Sequence, residues 1–107
     1  MDILVNREVD RDWALTDPTG IERSVLRRND QGGRTFIIRM KKGAHYPQHK
    51  YQGHAEIMIL NGQVLISGVE LSKGDYLHTR RGEAHDIVAL TDAELFISTE
   101  QAMTLIT

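Results

Sequence analysis

The chain has no cysteine. Disulfides, thiolate metal centres and cysteine nucleophiles are therefore excluded. With 13 basic and 15 acidic residues and a net charge of −2, it lacks the basic excess that carries nucleic-acid binding. It also lacks an apolar run long enough to cross a bilayer as a helix. The start, Met1-Asp-Ile-Leu-Val-Asn-Arg-Glu, has neither the basic opening nor the apolar stretch of a signal peptide. The expectation is a cytoplasmic protein without a nucleic-acid or membrane partner. No glycine-rich phosphate loop precedes a helix. Ser24, Ser67, Ser72 and Ser98 have no nucleophile motif around them. Sustained helical periodicity is absent as well.

What is present fits one small domain. The chain has 107 residues, of which 40% are hydrophobic and 26% charged. That is an ordinary globular balance with a modest core. Residues 1–107 read as a single domain, with 1–12 as an N-terminal strand or arm. Short apolar runs alternate with turn signals. Ile21–Arg27 is followed by the loop Asn29-Asp-Gln-Gly-Gly33, and Thr35–Met40 stops at Lys41-Lys-Gly43. Ala55–Leu60 meets Val64–Ile66 across Asn61-Gly62, a pair that signals a type I′ hairpin. Val69–Leu71, Tyr76–Thr79, Asp86–Leu90 and Leu95–Thr99 follow, with Met103–Thr107 as a final edge strand. The two prolines, Pro18 and Pro47, fall outside the predicted strands, where a missing N–H does no harm. Regular short strands with turns between them predict an all-β sandwich or barrel. Trp13 is expected to be a packing anchor.

Two segments carry a more specific message. In the first, Gly43 is followed after five residues by His49, then Tyr51, Ala55 and Gly62. In the second, Gly74 leads after five residues to Arg80, Gly82 and His85. Both spacings match the paired motifs of the cupin superfamily, and the chain resembles these RmlC-like double-stranded β-helix (jelly-roll) barrels. Within that superfamily it is similar to small stand-alone ChrR-like cupins. The residues that carry this likeness are Trp13, Gly20, Thr35, Arg39, Gly43, Pro47, His49, Gly53, the run Glu56–Gly62, Tyr76 and His85. The likeness spans about residues 13 to 99. No sigma-binding helical segment is legible, so it carries the barrel and not the anti-sigma role of fused relatives.

The resemblance implies a divalent first-row metal (Zn, Fe, Mn, Cu or Ni) held by positions 49, 51, 55 and 85. The chain offers His49, Tyr51, Ala55 and His85 there, so two of the four ligands are changed. Phenolate ligates ferric iron, but a phenol with a free pKa near 10 is a poor ligand for most divalent metals. Ala55 has no donor at all. The neighbouring Glu56 would replace the lost acid only if a bulge near Gly53 turned it inward, because alternation otherwise places it opposite Ala55, Ile57 and Ile59. His45 lies two strand steps from His49 and is a substitute ligand if it shares that face. His54 is expected to be exposed, and the direction of His78 is open.

Arg80 replaces the proline of the motif and could meet an anionic ligand at the rim beside Tyr51. The pair Arg27-Arg28 reads as solvated. These features lead to a binding or regulatory barrel for a small molecule, with a degenerate metal site. The alternative is a metal-dependent oxygenase or isomerase of a small carboxylic or phenolic substrate. A homodimer is expected, because an outward Met58 and Leu60 favour cover.

Overall fold

The structure is a computed structural model that describes residues 3–106. The first two residues of the predicted arm, and Thr107 of the predicted last strand, lie outside the described residues. Eleven strands are described: β1 (Ala14–Leu15), β2 (Ile21–Arg28), β3 (Arg34–Met40), β4 (His45–Tyr51), β5 (Ala55–Asn61), β6 (Gln63–Ile66), β7 (Val69–Ser72), β8 (Tyr76–Thr79), β9 (Ala84–Ala89), β10 (Ala93–Thr99) and β11 (Met103–Leu105). They form two antiparallel sheets. One has the order β1-β2-β3-β10-β5-β8, the other β11-β4-β9-β6-β7. This is the all-β jelly roll that the motif spacing implied.

Alternation decides which side chains enter the barrel. In β5, Ala55, Ile57 and Ile59 are buried while Glu56 and Met58 are exposed. Leu95 and Ile97 of β10 lie opposite Ile59 and Ile57 and are equally buried. Phe36, Ile38, Val64, Ile66 and Ile87 complete a continuous apolar filling between the sheets. Each such side chain contributes about 1.5–3 kcal/mol when removed from water. The N-terminal arm lies on the outer face of the six-stranded sheet. The Asn6 side chain donates to the Leu26 carbonyl at 2.8 Å, and Trp13 sits under the Arg39 guanidinium at 3.6 Å.

Two sequence expectations need correction. Asn61-Gly62 does not close a hairpin. β5 and β6 belong to different sheets, and only Gly62 has a positive φ, 79°. The chain uses Gly62 to cross between the sheets, and a Cβ there would run into the Asp92 carbonyl oxygen. The actual tight hairpin joins β6 to β7 through Ser67-Gly68, with φ of 48° and 80°. Both signs are those a type I′ turn demands. Pro47 lies inside β4, at a register shift between Tyr46 and His49. A bulge is one of the few strand positions that tolerate proline.

The two turns make a test. Gly62→Ala and Gly68→Ala both force a side chain into left-handed backbone, at about 1–2 kcal/mol. At Gly68 nothing lies within 4 Å of the added carbon, whereas at Gly62 it meets backbone. Thermal unfolding should therefore show Gly68→Ala down by roughly 4–15 °C and Gly62→Ala clearly lower still. Equal midpoints would contradict the crossover geometry.

Candidate functional site

The bulge in β4 sets the site. Tyr46 lies opposite Ile87 of β9, and His49 lies opposite His85. Three steps on one strand thus match two on the other, so Tyr46, His49 and Tyr51 all face the interior. The same shift removes His45 from the group. It lies opposite Val88 on the outer face and bonds Asp86 at 3.0 Å. His45 therefore does not share the face of His49. Glu56 also points outward, with its carboxylate accepting from the Tyr76 hydroxyl at 2.8 Å. No bulge near Gly53 turns it inward, so the interior gains no acid from this strand.

The retained imidazoles differ in what they can offer. His49 stacks on Tyr46, ring centres 4.7 Å apart and nearly parallel. Its Nδ1–H donates to the Pro47 carbonyl at 2.6 Å, which leaves Nε2 as the free lone pair. Burial lowers its pKa below the ordinary value, with nearby Arg34 and Arg23 acting in the same direction and the Pro47 bond opposing them. The ring is therefore neutral at pH 7.

His85 is committed on both sides. Ser67 Oγ lies 2.7 Å from Nδ1, while Thr79 Oγ1 and Glu83 Oε2 lie 3.0 and 3.2 Å from Nε2. The Arg80 backbone N–H, first among several hydrogen bonds, holds the Glu83 carboxyl below its usual range. Nε2 thus faces the Glu83 carboxylate and the Thr79 hydroxyl, and Nδ1 faces the Ser67 hydroxyl. Thr79 is fully buried, and its hydroxyl bridges His85 and Glu83.

The remaining cupin positions complete the comparison with a metal centre. Tyr51 is buried, with its ring 5.9 Å from that of His85. Burial raises its phenol far above the ordinary value, and Tyr46 adds to the shift, so Tyr51 stays neutral. Ala55 is buried opposite Thr79. The donor set at positions 49, 51, 55 and 85 is thus one free imidazole nitrogen, a hydrogen-bonded imidazole, a neutral phenol and a methyl group. This set does not fit a divalent metal, which asks for three or more available donors. Among the described residues no group of three or more His, Asp or Glu side chains is arranged to hold one.

Sequence reasoning missed the most distinctive interior feature, a set of arginines. Arg23 lies opposite the core residue Ile38, and Arg34 precedes Phe36 on the inner face of β3. The Arg34 guanidinium rests 5.2 Å from the Phe36 ring centre. A second bulge, between Val25 and Arg27, brings Arg28 opposite Arg34 on that same face. Arg27 is left on the outer side. Burial depresses the pKa of Arg34, and the Arg23 and Arg28 charges add to this. Tyr46 is raised by burial against the pull of Arg23 and Arg34. Among the described residues, none of Arg23, Arg28 and Arg34 has a carboxylate within 4.0 Å; the acids pair instead with Arg11, Arg39, His45 and His85. Arg80 is exposed beyond β8, where its backbone N–H bonds Glu83 at 3.2 Å. The period-two spacing of Arg23 with Ile21 and Val25, and of Arg34 with Phe36 and Ile38, was the available signal.

Two apolar-lined sheets, joined between β5 and β6 by the single residue Gly62, enclose the cross-strand His49–His85 pair. A family model described as the ChrR cupin-like domain matches residues 2–104, and the chain belongs to that family. Among solved structures it is similar to an RmlC-like cupin from Shewanella frigidimarina, with 19% identity over 94% of this chain and 93% of the other and a TM-score of 0.80. The anti-sigma ChrR in complex with SigE from Rhodobacter sphaeroides gives 20% identity, 88% and 51% coverage and a TM-score of 0.75. An acetylacetone dioxygenase from Acinetobacter johnsonii gives 14% identity, 100% and 85% coverage and a TM-score of 0.77. At these identities the likeness is one of fold. No curated protein matches the chain.

Restoring the missing donors tests the alignment of the site. The double change Tyr51→His and Ala55→Glu should create tight binding of Zn²⁺ or Fe²⁺ at one ion per chain, measured by calorimetry. If the folded double variant gains none, positions 51 and 55 do not face a common centre with His49.

Proposed function

We propose that the barrel binds a small anionic molecule without a metal and acts as a binding or regulatory module. The observation that carries this reading is the inward set Arg23, Arg28 and Arg34, which has no acidic partner among the described residues. Arg23 and Arg34 are half-buried and Arg28 is exposed; half-buried guanidiniums without a counter-charge are costly, and an anion relieves that cost. Their planar donor forks match carboxylate oxygens in pairs. Neutral His49, with Nε2 free, accepts a hydrogen bond from a hydroxyl on the ligand. The phenol of Tyr46 supplies a donor beside it.

A second reading is a metal-dependent oxygenase or isomerase of a small carboxylic or phenolic substrate. It is favoured by the cross-strand pair His49–His85 and by the likeness to an acetylacetone dioxygenase. The donor chemistry at Tyr51 and Ala55 weighs against it.

The test uses benzoate, salicylate and malonate as probes, with calorimetry at low and high salt. At least one should bind to the metal-free chain, and Arg23→Met or Arg34→Met should weaken it at least about tenfold, as a lost hydrogen bond to a charged group costs roughly 1.5–3 kcal/mol. Binding that survives both substitutions, or that requires added iron or zinc, would overturn the proposal.

A further inference from the structure

Among the described residues, one residue other than glycine has a positive φ, and it is a serine. Ser67, in the β6–β7 turn, has a φ of 48°, left-handed backbone that serine seldom adopts. Strand register aims it. Ile66 of β6 pairs with Ile87 of β9, and the Ser67 backbone N–H continues the ladder by donating to the Asp86 carbonyl at 3.2 Å. One residue further along β9 is His85, whose Nδ1 lies 2.7 Å from the Ser67 hydroxyl oxygen. Across the ring, Nε2 faces Thr79 Oγ1 at 3.0 Å and the Glu83 carboxylate at 3.2 Å. Hydroxyl, imidazole and carboxylate thus follow one another, each within hydrogen-bond reach of the next. Ser67 is exposed, so a molecule in solution reaches its hydroxyl.

We propose that Ser67, His85 and Glu83 form a triad that hydrolyses small esters, with Ser67 Oγ as nucleophile, His85 Nδ1 as base and Glu83 as the positioning residue of the ring. A serine is activated where its hydroxyl lies about 2.6–3.2 Å from a base that a third group orients. Both conditions are met here. A strained turn at a strand end also presents the hydroxyl, as in the nucleophile turn of other serine hydrolases. The ring offers Nδ1 to the serine, and either imidazole nitrogen accepts a proton when the other carries one. In the reactive tautomer the ring proton is on Nε2, shared between the Glu83 carboxylate and Thr79 Oγ1, while Thr79 donates its own proton to Glu83. The Arg80 backbone N–H holds that carboxylate in place at 3.2 Å.

Ser67 Oγ attacks the carbonyl carbon of the ester as Nδ1 takes the hydroxyl proton. The bond to the leaving oxygen then breaks, and the alcohol departs with that proton. Water, deprotonated at the same nitrogen, hydrolyses the acyl-serine to a carboxylic acid and restores the hydroxyl. The Gly68 backbone N–H, next after the nucleophile, makes no hydrogen bond among the described residues and is free to donate to the developing oxyanion. Ser67, Gly68 and Val69 are all exposed, so the ester arrives from solvent against the Val69 side chain. An open turn of this kind suits short acyl groups with a good leaving group, such as aryl acetates. The activity does not depend on an anion in the barrel, so its failure would leave that reading untouched.

The experiment is hydrolysis of p-nitrophenyl acetate by the full chain, joined to labelling with a fluorophosphonate and location of the label by peptide mass spectrometry. The wild-type chain should turn over the ester and carry the label on Ser67. Exposed imidazoles attack this ester unaided, so activity is read as the excess over Ser67→Gly. Ser67→Gly and Ser67→Asn remove the hydroxyl and suit the left-handed turn better than serine does. Both should therefore fold, melt no lower than the wild type, and lose label and excess activity together. His85→Gln should cut the excess at least about 100-fold, the lower end of what a general base supplies. Glu83→Gln should lower kcat about tenfold with KM unchanged, a smaller loss than a buried triad acid gives because this carboxylate is exposed. Absence of label from Ser67 in the wild type, equal rates in the wild type and Ser67→Gly, or an undiminished rate in His85→Gln would each overturn the proposal.

Discussion

The hydrogen-bond network Ser67–His85–Thr79–Glu83 is the constraint on which the barrel interior depends. Of the two inward imidazoles, His85 is the one with partners on both nitrogens, where in a metal-binding cupin the ion would be one of them. Here protein groups satisfy both. The fully buried hydroxyl of Thr79 joins His85 to the loop that follows β8, and Glu83 anchors that loop through the Arg80 backbone N–H. Ser67, from the tight β6–β7 turn, closes the other side. Two loops are thus tied to one ring. Replacing Glu by Ala55 and His by a buried Tyr51 is consistent with this arrangement, because each removes a ligand while the space between the sheets stays filled.

The second constraint is charge. The acids of this chain lie mostly on its outer surface, where Glu22, Asp86 and Glu94 pair with Arg39, His45 and Arg11. Among charged groups, the inner face of β2 and β3 receives only guanidiniums. Two bulges produce this division. One, in β4, brings His49 in and puts His45 out. The other, in β2, brings Arg28 in and leaves Arg27 on the outer side.

The general architecture was legible in the sequence because glycine and histidine spacings in two separate segments agreed with one another. The outward direction of Glu56 followed from strict alternation along β5, a strand without irregularity at that point. Bulges broke this logic elsewhere. Period-two counting carries His45 onto the face of His49, and nothing but Pro47 marks the extra residue between them. Asn61-Gly62 read as a hairpin because local turn chemistry cannot reveal that the next strand joins another sheet. The hairpin at Ser67-Gly68 was hidden by a serine in a position where asparagine is the usual signal. The arginine set escaped notice because Arg23, Arg28 and Arg34 are scattered in sequence and meet only through strand register.

The central claim is that the cupin site proper holds its own side chains together and is not a metal centre. Elemental mass spectrometry of the untagged chain, purified without chelator and compared with His49→Ala, tests this most directly. The account predicts that any metal found is carried equally by both proteins. Near one metal per wild-type chain, absent from His49→Ala, would contradict it.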